Sequence, residues 1–242
     1  MPSEITLSQT VHTLNGVIYH LEAHIMLLSE AYQQIYRRPI TLDTEKIIER
    51  IKKVIKRSYY TNGTSIFVTL QLTQDGEVTI SKRQRSLYHG YALRSIFPKA
   101  AIVDFNIPHI SLSTTLRQEV IEMANHTARN YHSCEVALRA SADEVDMING
   151  AQVFAVTTQG DIITSAKSHS VEHKITKEII KKMDIALEER PLKIKEITKL
   201  EELFYVDHCG LTAIKSCSER AFMTIISNKI AAELSKITNN KG

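Results

Sequence analysis

The sequence predicts an α+β fold in two domains. Three observations carry that expectation. Amphipathic helical stretches alternate with short strand-like runs in an irregular order, not as a regular βαβ series. Strand-like runs are joined at Asn15-Gly16, Asp75-Gly76 and Gln159-Gly160, dipeptides that suit the tight turns of antiparallel hairpins. A polar stretch with Pro108 at its centre, NIPHISLSTT, interrupts the middle of the chain. Residues 1–107 are therefore expected to form an N-terminal domain, 108–115 a linker, and 116–242 a C-terminal domain. With 242 residues, 43% of them hydrophobic and 24% charged, the chain is long enough for one or two cores.

The elements follow in order. Thr10–Tyr19 reads as strand, turn and strand. In His20–Tyr36 the apolar residues Leu21, Ile25, Leu28, Tyr32 and Ile35 recur at helical spacing. Thr41–Tyr59 is a second helix, with Asp43 or Thr44 as N-cap and Ile47, Ile48, Ile51, Val54 and Ile55 on one face. Thr64–Leu72, Glu77–Ser81, Tyr91–Phe97 and Ala100–Phe105 read as strands. Beyond the linker, Leu116–Tyr131 is helical, with Val120, Met123, Ala124 and Thr127 expected inward. Strands at Glu135–Ala140, Val145–Ile148, Gln152–Thr157 and Asp161–Thr164 come next. Then follow helix Ile175–Leu187, strand Glu189–Ile194, helix Thr198–Leu203, strands Phe204–Asp207 and Thr212–Lys215, and helix Ser218–Lys236.

Composition narrows the function classes. No apolar run approaches the ~18–20 residues that span a bilayer, and MPSEITLSQT lacks a signal-peptide layout. Cys134, Cys209 and Cys217 are odd in number and form no CxxC pair, so reduced thiols and a cytoplasmic protein are expected. A net charge of +3 gives no footprint for nucleic acid. Lys52, Lys53, Lys56 and Arg57 cluster opposite an apolar stripe, as a solvated helix face does. Neither nucleic acid nor membrane is expected as a partner.

Four passages carry a resemblance. Leu14–Ala31 resembles a hairpin followed by a helix of the form H-L-x-R-L-x-x-S, with His24 and Leu28 in place. Glu135–Thr164 is similar to a passage E-x-L-x-x-D-x-x-G-x-V-x-E-x-x-x-x-N-(I/L)-F ending in a turn, matched best at Phe154 and Gln159-Gly160. Ile175-Thr176 stands at an expected helix start, and Asp207–Ile214 takes the place of a G-T-x-x-x-I stretch. Together, and within Ser170–Cys217 above all, they resemble the class IV aminotransferases, the fold-type-IV enzymes of pyridoxal phosphate (PLP). Branched-chain and D-amino-acid aminotransferases and aminodeoxychorismate lyase belong there. The resemblance implies their two-domain fold with the opening hairpin truncated, and a homodimer.

Such a site needs a Schiff-base Lys, an Arg and backbone N–H groups for the phosphate, and a carboxylate that keeps the pyridine nitrogen protonated. Carried over by resemblance, the phosphate Arg falls on Leu27, the carboxylate on Met147, and the Lys at or near Ser113, in a stretch His109–Arg117 without lysine. One element survives: Ile175, Thr176 and Lys177, with Lys174 nearby, as a phosphate or anion cup at a helix N-terminus. The expected function is a degenerate member of the family that is not a PLP transaminase, needs no cofactor, and uses the cleft for a small anion or a protein partner. The alternative is an active PLP aminotransferase or lyase with a relocated Lys, Lys99 or Lys167. No catalytic residue is assigned. His208 and Cys209, next to Asp207, are read as the end of a strand pointing to opposite faces, so they are not paired. His169 with His173, and His20 with His24, have helical spacing without a carboxylate partner, and no metal is expected.

Overall fold

The computed structural model describes residues 5–56, 65–86, 91–107 and 112–239. The first layer comprises β1 (Leu7–Leu14), β2 (Val17–Ile18), α1 (Leu21–Tyr36), α2 (Thr44–Lys56), β3 (Ser65–Leu72) and β4 (Val78–Ser86). The strands pair antiparallel in the order β2-β1-β3-β4. Asn15 and Gly16 both take positive φ, as their hairpin requires. Leu21, Ile25, Leu28 and Tyr32 of α1, with Ile47 and Ile51 of α2, pack on Leu7, Val11, Val68 and Leu70. The alternation of the strands thus meets the helical stripes to form one core.

The second layer holds β5 (Lys99–Asp104), α3 (Thr115–His132), β6 (Val136–Ser141), β7 (Glu144–Ile148), β8 (Ala151–Val156), β9 (Ile162–Thr164), α4 (Val171–Lys182), β10 (Leu187–Glu189) and β11 (Leu192–Lys193). A 3₁₀ turn over Ile194–Lys199 precedes β12 (Glu202–Asp207), β13 (Gly210–Ala213), β14 (Ser216–Cys217), β15 (Arg220–Ala221) and α5 (Ile225–Asn239). Among the described residues these eleven strands form one mixed sheet. Its middle is apolar on both faces: β8 is buried throughout. One face is covered by α4 and α5 through Ile179, Ile180, Ile230 and Leu234. β5 lies before the expected linker in sequence, yet it pairs in parallel with β6 and so belongs to this sheet. Residues 108–111 of that linker, and 57–59 of the expected second helix, lie outside the described residues.

Several expectations are corrected. Tyr91–Phe97 is not a strand; only Leu93 bridges to Leu211, and Pro98 cannot donate to a ladder. On α3, Met123 points outward at 71% exposure while Ala124 and Ala128 are buried. Small side chains let that helix approach Ala101 and Ala137 closely. The helix expected to start at Ile175 starts at Val171, because the Ser170 hydroxyl caps it by accepting from the His173 N–H at 3.1 Å. It ends at Lys182, and Leu187–Glu189 is instead a strand parallel to β9. The helix expected over Thr198–Leu203 is the earlier 3₁₀ turn and the start of β12. The last helix starts at Ile225 instead of Ser218. Ser218 and Glu219, both with positive φ, turn β14 into β15, and the buried Glu202 carboxylate accepts the N–H groups of Ile226 and Ser227.

Candidate functional site

Where the two layers meet, a cleft of about 360 Å³ is walled by β1, α3, the β7–β8 turn, the start of α4 and the β12–β13 turn. The β1 wall, Ser8–Thr10, stands inside the ladder with β3, the α3 wall runs from Thr114 to Asn125, and the remaining walls are turns and the start of α4, so sheet and helix position the side chains that face the space.

Arg117 is the cationic wall. Its N–H is capped by Thr114 at 3.1 Å, which holds the first turn of α3. The guanidinium is 6% exposed and donates to the carbonyls of Leu112 and Gly150. It also lies 3.6 Å from the Met147 sulfur. Among the described residues no carboxylate pairs with it, and its buried Nε has no partner. Burial lowers its pKa to about 10, which leaves it charged at neutral pH. Gly150, at φ +77°, permits the contact: a Cβ there would come within 2.7 Å of Ile121. Asn149 is fixed beside it by donating to the Tyr205 hydroxyl at 2.8 Å and accepting from Asn125 at 2.7 Å. His169 is held neutral, lowered to about 4 by burial and by the charges of Arg117 and Lys167.

Glu172 is the acidic wall. It stands in the first turn of α4, 7% exposed, where the free N–H groups and positive end of the helix favour an anion. Burial pushes its carboxyl up to about 7; hydrogen bonds from its own N–H and the Ser170 hydroxyl oppose that rise, and the Asp207 charge adds to it. The chain's own carboxylate therefore occupies the anion-favouring end of α4.

The expected positions sort as follows. Ser113 lines the cleft and an adjoining cavity of about 50 Å³ that Leu27 and Lys167 also border. The Ser113 carbonyl accepts the Ser8 N–H at 2.9 Å, tying this segment to β1. Met147 is buried against Arg117. Its neighbour Asp146 is committed to the Arg139 guanidinium, so a shift of one residue brings no free carboxylate. Ile175, Thr176 and Lys177 fall in the second turn of α4, so they do not form a cup of free N–H groups. The Thr176 hydroxyl donates to the Glu172 carbonyl at 2.8 Å. Lys177 donates to Glu189 and to the Ala166 carbonyl, both at 2.7 Å. Lys174 is exposed, and Lys99 lies outside the cleft lining. His173 is built into the core, bonded to Thr164 and Ser168 at 2.8 Å each. His24 shares a hydrogen bond with Gln9 at 2.9 Å, and His20 lies beside Tyr91 with ring centroids 6.3 Å apart.

His208 and Cys209 are not a strand end. Asp207 pairs with Gly210, so they form the two-residue turn between β12 and β13. Side chains in a turn do not alternate between faces as those of a strand do, and Asp207, His208 and Cys209 bring their donor atoms within 4.8 Å of one another. Arg117 and Glu172 were missed by sequence reasoning. A capping Thr or Ser just upstream, Thr114 or Ser170, was the available signal for each helix start.

No helix among the described residues is long and apolar enough to cross a membrane. The sequence matches no family model and no curated protein. Solved structures do match over nearly the whole chain. The branched-chain aminotransferase of Thermoproteus uzoniensis is 16% identical with a TM-score of 0.78, covering 98% of this chain and 86% of that one. A putative 4-amino-4-deoxychorismate lyase from Legionella pneumophila is 13% identical with a TM-score of 0.78, covering 96% and 90%. An aminotransferase from Brucella abortus, bound to PLP, is 13% identical with a TM-score of 0.80, covering 97% and 89%. The chain has the fold of the class IV aminotransferases.

Proposed function

We propose that the protein keeps the class IV aminotransferase scaffold without PLP chemistry, and that its cleft holds a small carboxylate-type anion against Arg117. The observation that carries this reading is the Glu172 carboxylate at the start of α4. By resemblance to the family, a helix start of this kind cups the cofactor phosphate. A phosphate dianion placed there meets Glu172 and Asp207, both of which line the cleft. Two further features agree. Among the described residues no lysine lines the cleft. At Met147, the position carried over for the pyridine carboxylate, the neighbour is a guanidinium, which repels a protonated ring nitrogen.

PLP, when bound, supplies an electron sink for carbanion chemistry. The residues in place do not fit it. They fit the reverse polarity: a buried arginine with no carboxylate partner among the described residues is costly and gains a partner from an anionic ligand. A homodimer belongs to the same proposal, checked by light scattering on the full chain.

The alternative keeps one specific support. Lys167 borders the small cavity beside Leu27 and Ser113, so a Schiff base from that loop is the active-enzyme reading. Visible absorbance with added PLP, before and after borohydride, followed by intact mass, separates the two. No imine band and no reduced adduct is the expected result. An adduct mapped to Lys167 establishes the alternative.

A further inference from the structure

The β12–β13 turn brings together three chemically different donors: the Asp207 carboxylate, which also bears on Glu172, the His208 imidazole and the Cys209 thiol. Their ligand atoms lie within 4.8 Å of one another, and each residue is half-buried. We propose that this turn binds one divalent transition-metal ion of the zinc type, with a remaining coordination position opening onto the cleft. The proposal does not depend on PLP being absent or on an anion at Arg117.

The donor set selects the class of ion. A hard oxygen, a borderline imidazole and a soft thiolate together suit zinc and its neighbours, whereas magnesium and calcium take oxygen-only shells. Zinc bonds of about 2.0–2.3 Å put tetrahedral ligand atoms roughly 3.5 Å apart. From a spread within 4.8 Å, the three donors reach that geometry by closing about an ångström, a shift side-chain torsions supply. Three protein ligands leave the fourth position for water or a ligand, the arrangement of open zinc sites. Asp207 and His208 line the cleft, so the open position faces it.

The turn is held before any ion arrives. One Asp207 oxygen accepts the Cys209 N–H at 2.7 Å, which orients the carboxylate and leaves its second oxygen. The His208 ring meets Phe67 edge-on with centroids 5.0 Å apart. Gly210 has φ +112°, and a Cβ there would lie 2.4 Å from the Ala92 carbonyl oxygen. Leu211 donates to that carbonyl at 3.1 Å, and the Arg94 N–H to the Leu211 carbonyl at 2.8 Å. The backbone of the turn is thus clamped to the 91–94 segment. Metal binding replaces the thiol proton, so affinity rises with pH.

The test uses the full chain, reduced and stripped with a chelator. Titration with cobalt(II), a spectroscopic stand-in for zinc, is expected to give one equivalent bound with a thiolate-to-cobalt charge-transfer band. Zinc is expected to displace it. Cys209→Ser should abolish the band and His208→Ala should weaken binding at least tenfold, while Cys134→Ser changes neither. Alkylation mapping guards against a variant that fails to fold: in the wild type, zinc should protect Cys209 from iodoacetamide and leave Cys134 reactive. Absence of stoichiometric binding, an unchanged band in Cys209→Ser, or alkylation of Cys209 at the same rate with and without zinc overturns the proposal.

Discussion

Glu172→Gln tests the electrostatics of the cleft most directly. The carboxyl is 7% exposed, and its pKa lies at about 7 in place of the ordinary 4.5. Each pH unit of displacement is worth about 1.4 kcal/mol, so the ionised form costs the folded state on the order of 3 kcal/mol. The sign follows from linkage. Because the folded pKa is raised, the unfolded chain gives up this proton first as pH rises. Below pH 4.5 both states are protonated and nothing is lost; between 4.5 and about 7 the wild type loses stability; above 7 the whole cost is present. Glutamine accepts the same hydrogen bonds from the backbone and Ser170 but never ionises. Urea unfolding of both proteins at pH 5 and pH 8, in chelator, should show little difference at pH 5. At pH 8 the variant should be more stable by about 2–3 kcal/mol. Equal stability at pH 8, or a less stable variant, refutes the claim that a carboxylate is held in the anion place against its own desolvation. The same variant should also gain affinity for inorganic phosphate, since it removes one negative charge from the start of α4.

Three other outcomes are expected. Gly210→Ala forces a Cβ to 2.4 Å from the Ala92 oxygen at φ +112°, so unfolding stability should fall by about 2–4 kcal/mol; a neutral result in urea removes the clamp on the turn. Glu202→Ala strips two N–H acceptors, at 2.6 and 2.8 Å, from the start of α5 inside the protein; a loss of about 3 kcal/mol is expected, and Glu202→Gln should recover part of it in the same assay. His173 is lowered to about 3, by burial first and then by Lys177 and His169, with Glu189 opposing. The unfolded chain therefore takes up this proton from about pH 6.5 downward while the folded one does not. His173→Gln should flatten the acid side of the stability profile by close to one proton, and an unchanged slope counts against a neutral buried imidazole.

Much of the scaffold is legible in the sequence because its signals are local. The apolar stripes of α1 and α2 and the turns at Asn15-Gly16 and Gln159-Gly160 stand where they were expected. What sequence missed depends on contacts between segments far apart. The motif predicts a start of α4 at Ile175, but the Ser170 hydroxyl caps the helix at Val171. Tyr91–Phe97 reads as a strand by composition, yet its partner Leu211 meets it only through one bridge. In the site, Leu27, Ser113 and Met147 are named by resemblance, and the structure adds what surrounds them. Arg117 carries no pattern of its own; it matters because Gly150 and Met147, some 30 residues away, receive its guanidinium.

The separation of scaffold from chemistry has a physical basis. The cores are filled by residues whose only requirement is apolar shape, and Phe154 stacked on Phe204 at 5.2 Å illustrates it. Apart from β1 and the body of α3, the cleft is walled by a helix start and hairpin turns, where substitution leaves those cores intact. Glu172 and Arg117 run the other way. Each buries an ionisable group at a cost the fold does not need, Glu172 by its raised carboxyl and Arg117 by an unpartnered Nε. On the proposed function, Arg117 and Glu172 are the two groups that a bound polar ligand meets in the cleft. On that argument, restoring an apolar wall with Arg117→Met should cost ligand affinity while leaving the cores unaltered.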